Sequence, residues 1–274
     1  MEQLNYGELL RLAVKAAIQA GEEILKVYST DFAVQTKSDN TPVTRADKIS
    51  GRCITGILSE AGFPVISEEE EVSSYKQRKD WERVWIVDPL DGTKEYIKRN
   101  GEFAVNIALV EHGKPVIGVI YAPVFRDIYF AAKGLNSYKI IQHDLVHELT
   151  KENISDNLFD YARQLPLQAL PATYTVVASR SHLSREVNGR ISELKNLYGE
   201  VELISVGSSI KQCWVAEGRA HEYPRFGDTM EWDTAAGQCI LEETGGKLVE
   251  YESRQPLHYN KEKMLNPYFI AFHS

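Results

Sequence analysis

The sequence is short of the features that define several functional classes. Its 274 residues include only three cysteines, Cys53, Cys213 and Cys239, far apart and without a C-x-x-C. That set argues against a disulfide framework or a zinc–thiolate site and fits reduced thiols in a cytosolic protein. No stretch approaches the roughly 18 consecutive apolar residues of a membrane span. Glu8, Arg11 and Lys15 interrupt the apolar residues near the amino terminus, so no secretory leader is read there. A soluble, cytoplasmic protein is expected, with peripheral placement at the inner face of the cell membrane as a variant. Long basic runs are also missing and the formal charge is −8. Binding of nucleic acid through a cationic face is therefore not expected. An acidic chain still binds phosphates where metal ions supply the positive charge. The G-x-S-x-G, H-E-x-x-H, G-x-G-x-x-G and Walker signatures are all absent.

What is present is enough apolar material, 43% of residues, for one large domain or two joined halves. Leu9, Leu12, Ala13, Ala16, Ala17, Ala20, Ile24 and Val27 recur at helical spacing, which predicts an amphipathic helix over 7–28. A second helix is expected from about Ala46 to Ala61. Short strands are expected at F-A-V-Q-T-K, P-V-I-S and R-V-W-I-V. From Phe103 to Ala131 three apolar runs separated by turn residues predict antiparallel strands. The polar stretch 135–172 reads as a link or insertion between a first half, 1–134, and a second, 173–274. In that second half, helices are expected at 183–199, from Ser208 and from Glu231, interleaved with strands. The pattern is α+β, with mixed sheets in two halves.

The acids are arranged less evenly than composition alone suggests. In W-I-V-D-P-L-D-G-T, Asp88 and Asp91 stand three apart, where an apolar strand meets a Pro-Leu turn. Proline fixes its own φ and Gly92 admits backbone conformations other residues resist, so the two carboxylates sit on a rigid elbow. The Leu90 carbonyl lies between them as a third oxygen. Hard cations, Mg²⁺ above all, take oxygen donors of this kind, although a capped turn explains the pair equally well. Glu68 follows the strand P-V-I-S directly and is expected to point inward, with Glu69 second and Glu70 and Glu71 solvated. Asp233, in E-W-D-T-A-A-G, stands where a small-residue helix begins and suits an N-cap. Asp47, in T-R-A-D, suits a first-turn acid.

The three motifs V-I-S-E-E, W-I-V-D-P-L-D-G-T and E-W-D-T-A-A-G, in this order and at these separations, resemble the inositol-monophosphatase superfamily of magnesium-dependent, lithium-sensitive phosphatases. S-R-S-H and Y-P-R-F-G-D-T-M-E-W-D resemble its CysQ branch of 3′(2′),5′-bisphosphate nucleotidases. The resemblance spans nearly the whole chain except about 136–171. It implies a layered α/β/α/β/α sandwich with the active site between the halves. It implies that Glu68, Asp88, Asp91, Asp233 and the Leu90 carbonyl hold two or three Mg²⁺ ions. Gly92 and Thr93 would hold the scissile phosphate, and Asp47 would pair with the Thr93 hydroxyl to orient or deprotonate the attacking water. His182, Ser208, Lys211 and Arg225 match positions that contact the nucleotide and its other phosphate, and Glu68 and Asp233 also face the substrate. The implied reaction removes the 3′-phosphate of adenosine 3′,5′-bisphosphate by direct attack of water, without a phosphoenzyme. The sulfated nucleotide would be a second substrate, tying the activity to sulfur assimilation. The partner is thus a phosphorylated nucleotide, and the superfamily contains both monomers and homodimers.

Three alternatives differ in class. One is an inositol or sugar monophosphatase on the same scaffold. Another is a cation or nucleotide sensor that keeps the site without turnover. The third rests on S-x-x-K at Ser208–Lys211 and S-D-N at Ser38–Asn40, as in serine acyl-enzymes. Here the order of those two is reversed and no K-T-G or K-S-G follows, which makes a coincidence the better account.

Overall fold

The computed structural model describes residues 5–36, 42–141, 158–178 and 184–273. Helix α1 (Tyr6–Tyr28) starts at Asn5, whose side chain accepts from the N–H groups of Gly7 and Glu8. A short antiparallel hairpin, β1 (Val34–Thr36) and β2 (Pro42–Thr44), leads into α2 (Arg45–Leu58). The second helix thus ends before Ala61; a 3-10 turn, Ser59–Ala61, closes on Gly62 in the left-handed region. Among the described residues no helix is long and apolar enough to cross a membrane.

The two helices cover one face of a seven-stranded sheet. Its strands lie in chain order: β3 (Val65–Ser67), β4 (Arg83–Asp91), β5 (Ala104–Glu111), β6 (Lys114–Ala122), β7 (Asp127–Ala132), β8 (Ser137–Ile140) and β9 (Arg163–Gln164). Only β3 and β4 are parallel; the remaining neighbours are antiparallel. Two short helices, α3 (Tyr75–Arg78) and α4 (Thr93–Ile97), flank β4. Period-two alternation splits the central strands. Trp85, Val87, Val105, Ile107 and Leu109 pack against α1 and α2, whereas Val84, Ile86, Ala104 and Ala108 face the next layer.

That next layer consists of α6 (Ile210–Ala216) and α7 (Ala235–Glu242). Beyond it lies a five-stranded sheet built from β10 (Tyr174–Ala178), β11 (Val201–Ser205), β12 (Glu222–Arg225), β13 (Lys247–Glu250) and β14 (Phe269–Phe272). Its order is β11-β10-β12-β14-β13, parallel through the first three strands and antiparallel after them. Helix α5 (Arg185–Tyr198) packs on β11 and β12 through Val187, Ile191 and Leu194. The layers therefore run α/β/α/β/α. Gly118 permits the middle contact, because a Cβ there would stand 2.3 Å from the Ala236 carbonyl oxygen on α7.

The stretch expected as a link departs from that reading. Ser137–Ile140 and Arg163–Gln164 are strands that extend the first sheet past residue 134. They escape pattern reading because they are short, four residues in β8 and two exposed residues in the edge strand β9, at or below the run length over which alternation can be read. Residues 142–157 lie outside the described residues.

Candidate active site

Strand β4 brings the two elbow acids to one side by a bulge, not by ending. A spacing of three would put Asp88 and Asp91 on opposite faces of a regular strand. Asp88 pairs with Asn106 and Asp91 with Ala104, so three steps on β4 meet two on β5. The one extra residue resets the alternation, and both acids face α6 and α7. Pro89, which has no N–H for a ladder, occupies the interruption, and its carbonyl accepts from Ser50 Oγ at 2.8 Å. The expected turn is therefore a bulge inside the strand; Gly92, with φ of 92°, makes the reversal one residue later. The Leu90 N–H donates to Asp88 Oδ1 at 3.0 Å, and the Leu90 carbonyl lies 3.4 Å from Thr93 Oγ1.

Asp233 arrives from the opposite side on a 3-10 turn, Glu231–Asp233, just ahead of α7. Its Oδ2 accepts the Met230 N–H at 2.8 Å, reaching back across that turn from its third position. It therefore braces the turn and does not cap α7 as expected; the N-cap of α7 is Thr234. The same carboxylate completes a group with Asp88 and Asp91 whose oxygens lie within 4.8 Å of one another. Burial, then the charges of Glu68, Asp91 and Asp233, hold the Asp88 carboxyl well above the usual carboxylate range. Burial and then Asp91 push Asp233 up to about 8. Glu68 belongs to this field, although its carboxylate is not one of the three that converge most closely; its N–H donates to the Val87 carbonyl. Glu70 and Glu71 are exposed, as expected of the outer acids. Like charges crowded in a low-dielectric site, all on oxygen donors, are the environment a hard divalent cation relieves, and the donor set fits Mg²⁺. Glu231, one turn away, is different: it is fully buried and neutralised by Lys261 at 2.7 Å, pinning the loop at Asn260.

Asp47 sits at the third position of α2, where a capping box forms with Thr44. Its Oδ2 accepts the Thr44 N–H at 2.7 Å and the Thr44 hydroxyl at 2.6 Å. Its Oδ1 accepts from Thr93 Oγ1 at 3.3 Å. The first-turn acid and the partner of Thr93 are thus one residue, with one oxygen for each task.

Beside the acids opens a cavity of about 160 Å³ whose walls include Gly92, Ser208, Lys211, Tyr223 and Arg225. Ser208 adopts a left-handed backbone, φ 52°. The Lys211 ammonium is buried; it donates to the Ser208 carbonyl at 2.6 Å and lies over the Tyr223 ring. Burial lowers its pKa to about 8. That lysine reaches a carbonyl and not the Ser208 hydroxyl, which removes the geometric basis for an acyl-enzyme. Arg225 donates to the Asp228 carbonyl through Nη2, and its buried Nε has no hydrogen-bond partner. Phe226 packs against Tyr251 and Tyr268. His182, with the rest of S-R-S-H, lies outside the described residues, as does Ser38–Asn40.

Residues 5–268 match the model of the inositol monophosphatase family. The chain belongs to that family. It is 41% identical over 267 residues to the 3′(2′),5′-bisphosphate nucleotidase CysQ of Escherichia coli K12, covering 95% of this chain and 98% of that protein. The crystal structure of CysQ from Bacteroides thetaiotaomicron superposes with a TM-score of 0.88 at 45% identity, covering 98% of each chain. The SuhB protein of Bartonella henselae superposes at 0.70 with 26% identity, over 95% of this chain and 92% of that one.

Within this inositol monophosphatase fold, sequence reading missed the polar residues that tie the acids to the second half. Ser209 N–H donates to Asp91 Oδ2 at 2.5 Å, and Ser209 Oγ donates to Asn106 Oδ1 at 2.6 Å. Glu102 accepts the Gly207 N–H at 2.9 Å, and Gln212 donates to the Asp233 carbonyl at 2.8 Å. One signal was available: Asn106 is the lone polar residue in the apolar run F-A-V-N-I-A-L-V.

Proposed function

We propose that the chain is a Mg²⁺-dependent phosphatase that removes the 3′-phosphate of adenosine 3′,5′-bisphosphate, leaving AMP and phosphate. Its sulfated relative is a second substrate. The observation that carries this reading is a three-carboxylate cluster abutting a small cavity with a buried lysine and an arginine. It is supported by the identity to proteins named bisphosphate nucleotidases. Glu68, Asp88, Asp91, Asp233 and the Leu90 carbonyl would hold two or three Mg²⁺ ions. Bound there, such ions supply positive charge for the phosphate and lower the pKa of water. The remaining work belongs to the chain. The Gly92 N–H and the Thr93 hydroxyl and N–H face the scissile phosphate. Thr93 donates its hydroxyl hydrogen to Asp47 Oδ1, so its oxygen accepts a hydrogen bond from the attacking water, whose proton is relayed through Thr93 to the Asp47 carboxylate. The water oxygen bonds to phosphorus as the bond to the ribose 3′ oxygen breaks and that oxygen takes up a proton from solvent, so no enzyme side chain is phosphorylated. Lys211 and Arg225, with Ser208 and His182, take the nucleotide and its other phosphate; the guanidinium suits bidentate contact.

The test is phosphate release from adenosine 3′,5′-bisphosphate and from inositol 1-phosphate, each with Mg²⁺. Turnover should favour the nucleotide. Preference for inositol phosphate would overturn the substrate assignment, and no turnover of either would leave a sensor.

A further inference from the structure

Asn106 is the third residue of β5 and is 1% exposed. Its neighbours Val105 and Ile107 point to the α1 and α2 layer, so its own side chain points the other way, with Ala104 and Ala108, toward the acids. It is the cross-strand partner of Asp88. A leucine would fill such a place at lower desolvation cost. The amide instead makes three bonds, each to a different wall of the site. Nδ2 lies 3.4 Å from Asp91 Oδ2 and 3.4 Å from the Trp232 carbonyl, next to Asp233. Oδ1 accepts from Ser209 Oγ at 2.6 Å. The two N–H groups and the carbonyl are all used.

We propose that Asn106 is a positioning residue that sets the Asp91 carboxylate and locks the Asp233 turn and the Ser209 loop to the β4 bulge. The inference rests on reading Asp91 as a cation ligand. Ser209 drives the amide orientation, because its hydroxyl donates to Oδ1 and so turns Nδ2 toward Asp91. The Ser209 N–H and Asn106 Nδ2 both take Asp91 Oδ2, which leaves Oδ1 as the oxygen for a cation. Partners that orient ligands in this way typically carry about 10–100-fold in metal affinity or activity.

The experiment measures Mg²⁺ binding by calorimetry, together with kcat and KM, for wild type, Asp91→Asn, Asn106→Ala, Ser209→Ala and the double variant Asn106→Ala/Ser209→Ala. Asn106→Ala should weaken Mg²⁺ about tenfold or more and lower kcat, with KM for the nucleotide within about twofold at saturating Mg²⁺. Ser209→Ala keeps its backbone N–H to Asp91 and should fold whatever Asn106→Ala does, with a smaller loss of Mg²⁺ affinity. The double variant should bind Mg²⁺ no more weakly than Asn106→Ala, because both act through one amide. Wild-type Mg²⁺ affinity in folded Asn106→Ala, or in Ser209→Ala if the former does not fold, overturns the proposal, as do additive losses. If wild type binds no Mg²⁺, or Asp91→Asn binds it equally well, the functional reading fails and takes this inference with it.

Discussion

Asp233→Asn should make the metal-free protein more stable while removing its activity. In the folded chain, burial and Asp91 raise the Asp233 pKa to about 8, against about 4 for an unfolded aspartate. A carboxyl with a raised folded pKa contributes its full stability below the unfolded value and loses it as pH rises toward the folded one. At 1.36 kcal/mol per unit, the loss across the three units from pH 4 to pH 7 is about 4 kcal/mol. Asparagine has no proton to lose, and its carbonyl can still accept the Met230 N–H. In excess EDTA, urea denaturation at pH 7 should therefore find Asp233→Asn more stable by up to about 4 kcal/mol. At pH 5 the difference should shrink to between 1 and 2 kcal/mol, roughly. With Mg²⁺ the order should reverse, because only wild type gains the linkage energy of a tightly bound ion. A metal-free Asp233→Asn protein no more stable than wild type at pH 7, or a difference that ignores pH, would refute the crowded-acid account.

Gly92→Ala forces a side chain onto a backbone at φ 92° and places its Cβ 3.2 Å from the Glu102 carbonyl oxygen. A cost of about 1–2 kcal/mol is expected, seen as a Tm lowered by a few degrees and a disproportionate fall in kcat; unchanged kcat would deny Gly92 its place at the phosphate. Lys211 is a cation below its lowered pKa of about 8, so KM for the bisphosphate should rise as pH passes 8 in wild type and stay flat in Lys211→Arg. Identical profiles in the two proteins would remove Lys211 from phosphate binding. Arg225→Ala should raise KM for the bisphosphate at least tenfold and spare simple monoesters, and equal losses on both would contradict its role.

The sequence displays the chemistry of this fold more openly than its geometry. Acids on several short motifs announced the cluster jointly, since a capped turn explains D-P-L-D-G-T by itself equally well. The bulge was not legible: Pro89 and the odd spacing of Asp88 and Asp91 fit a turn as well, and only the pairing with Asn106 and Ala104 decides. Helices α1 and α5 carry one buried stripe each and were readable by period. Strands β8 and β9 were not, since four and two residues are too few to display a period. The double duty of Asp47 was half visible, as a capping acid and as a partner of Thr93; that one carboxylate performs both follows from its two oxygens. Asn106 and Ser209 were missed because a polar residue gains its meaning from partners distant in sequence.

The central claim, that the acids at the β4 bulge bind the cation on which turnover depends, is tested most directly by one titration. Phosphate release from adenosine 3′,5′-bisphosphate is followed as Mg²⁺ is added back to EDTA-treated wild type and to Asp91→Asn. Saturable recovery in wild type, with none in a folded Asp91→Asn, is the predicted result. Full activity in EDTA, or an Asp91→Asn variant that recovers as wild type does, would contradict it.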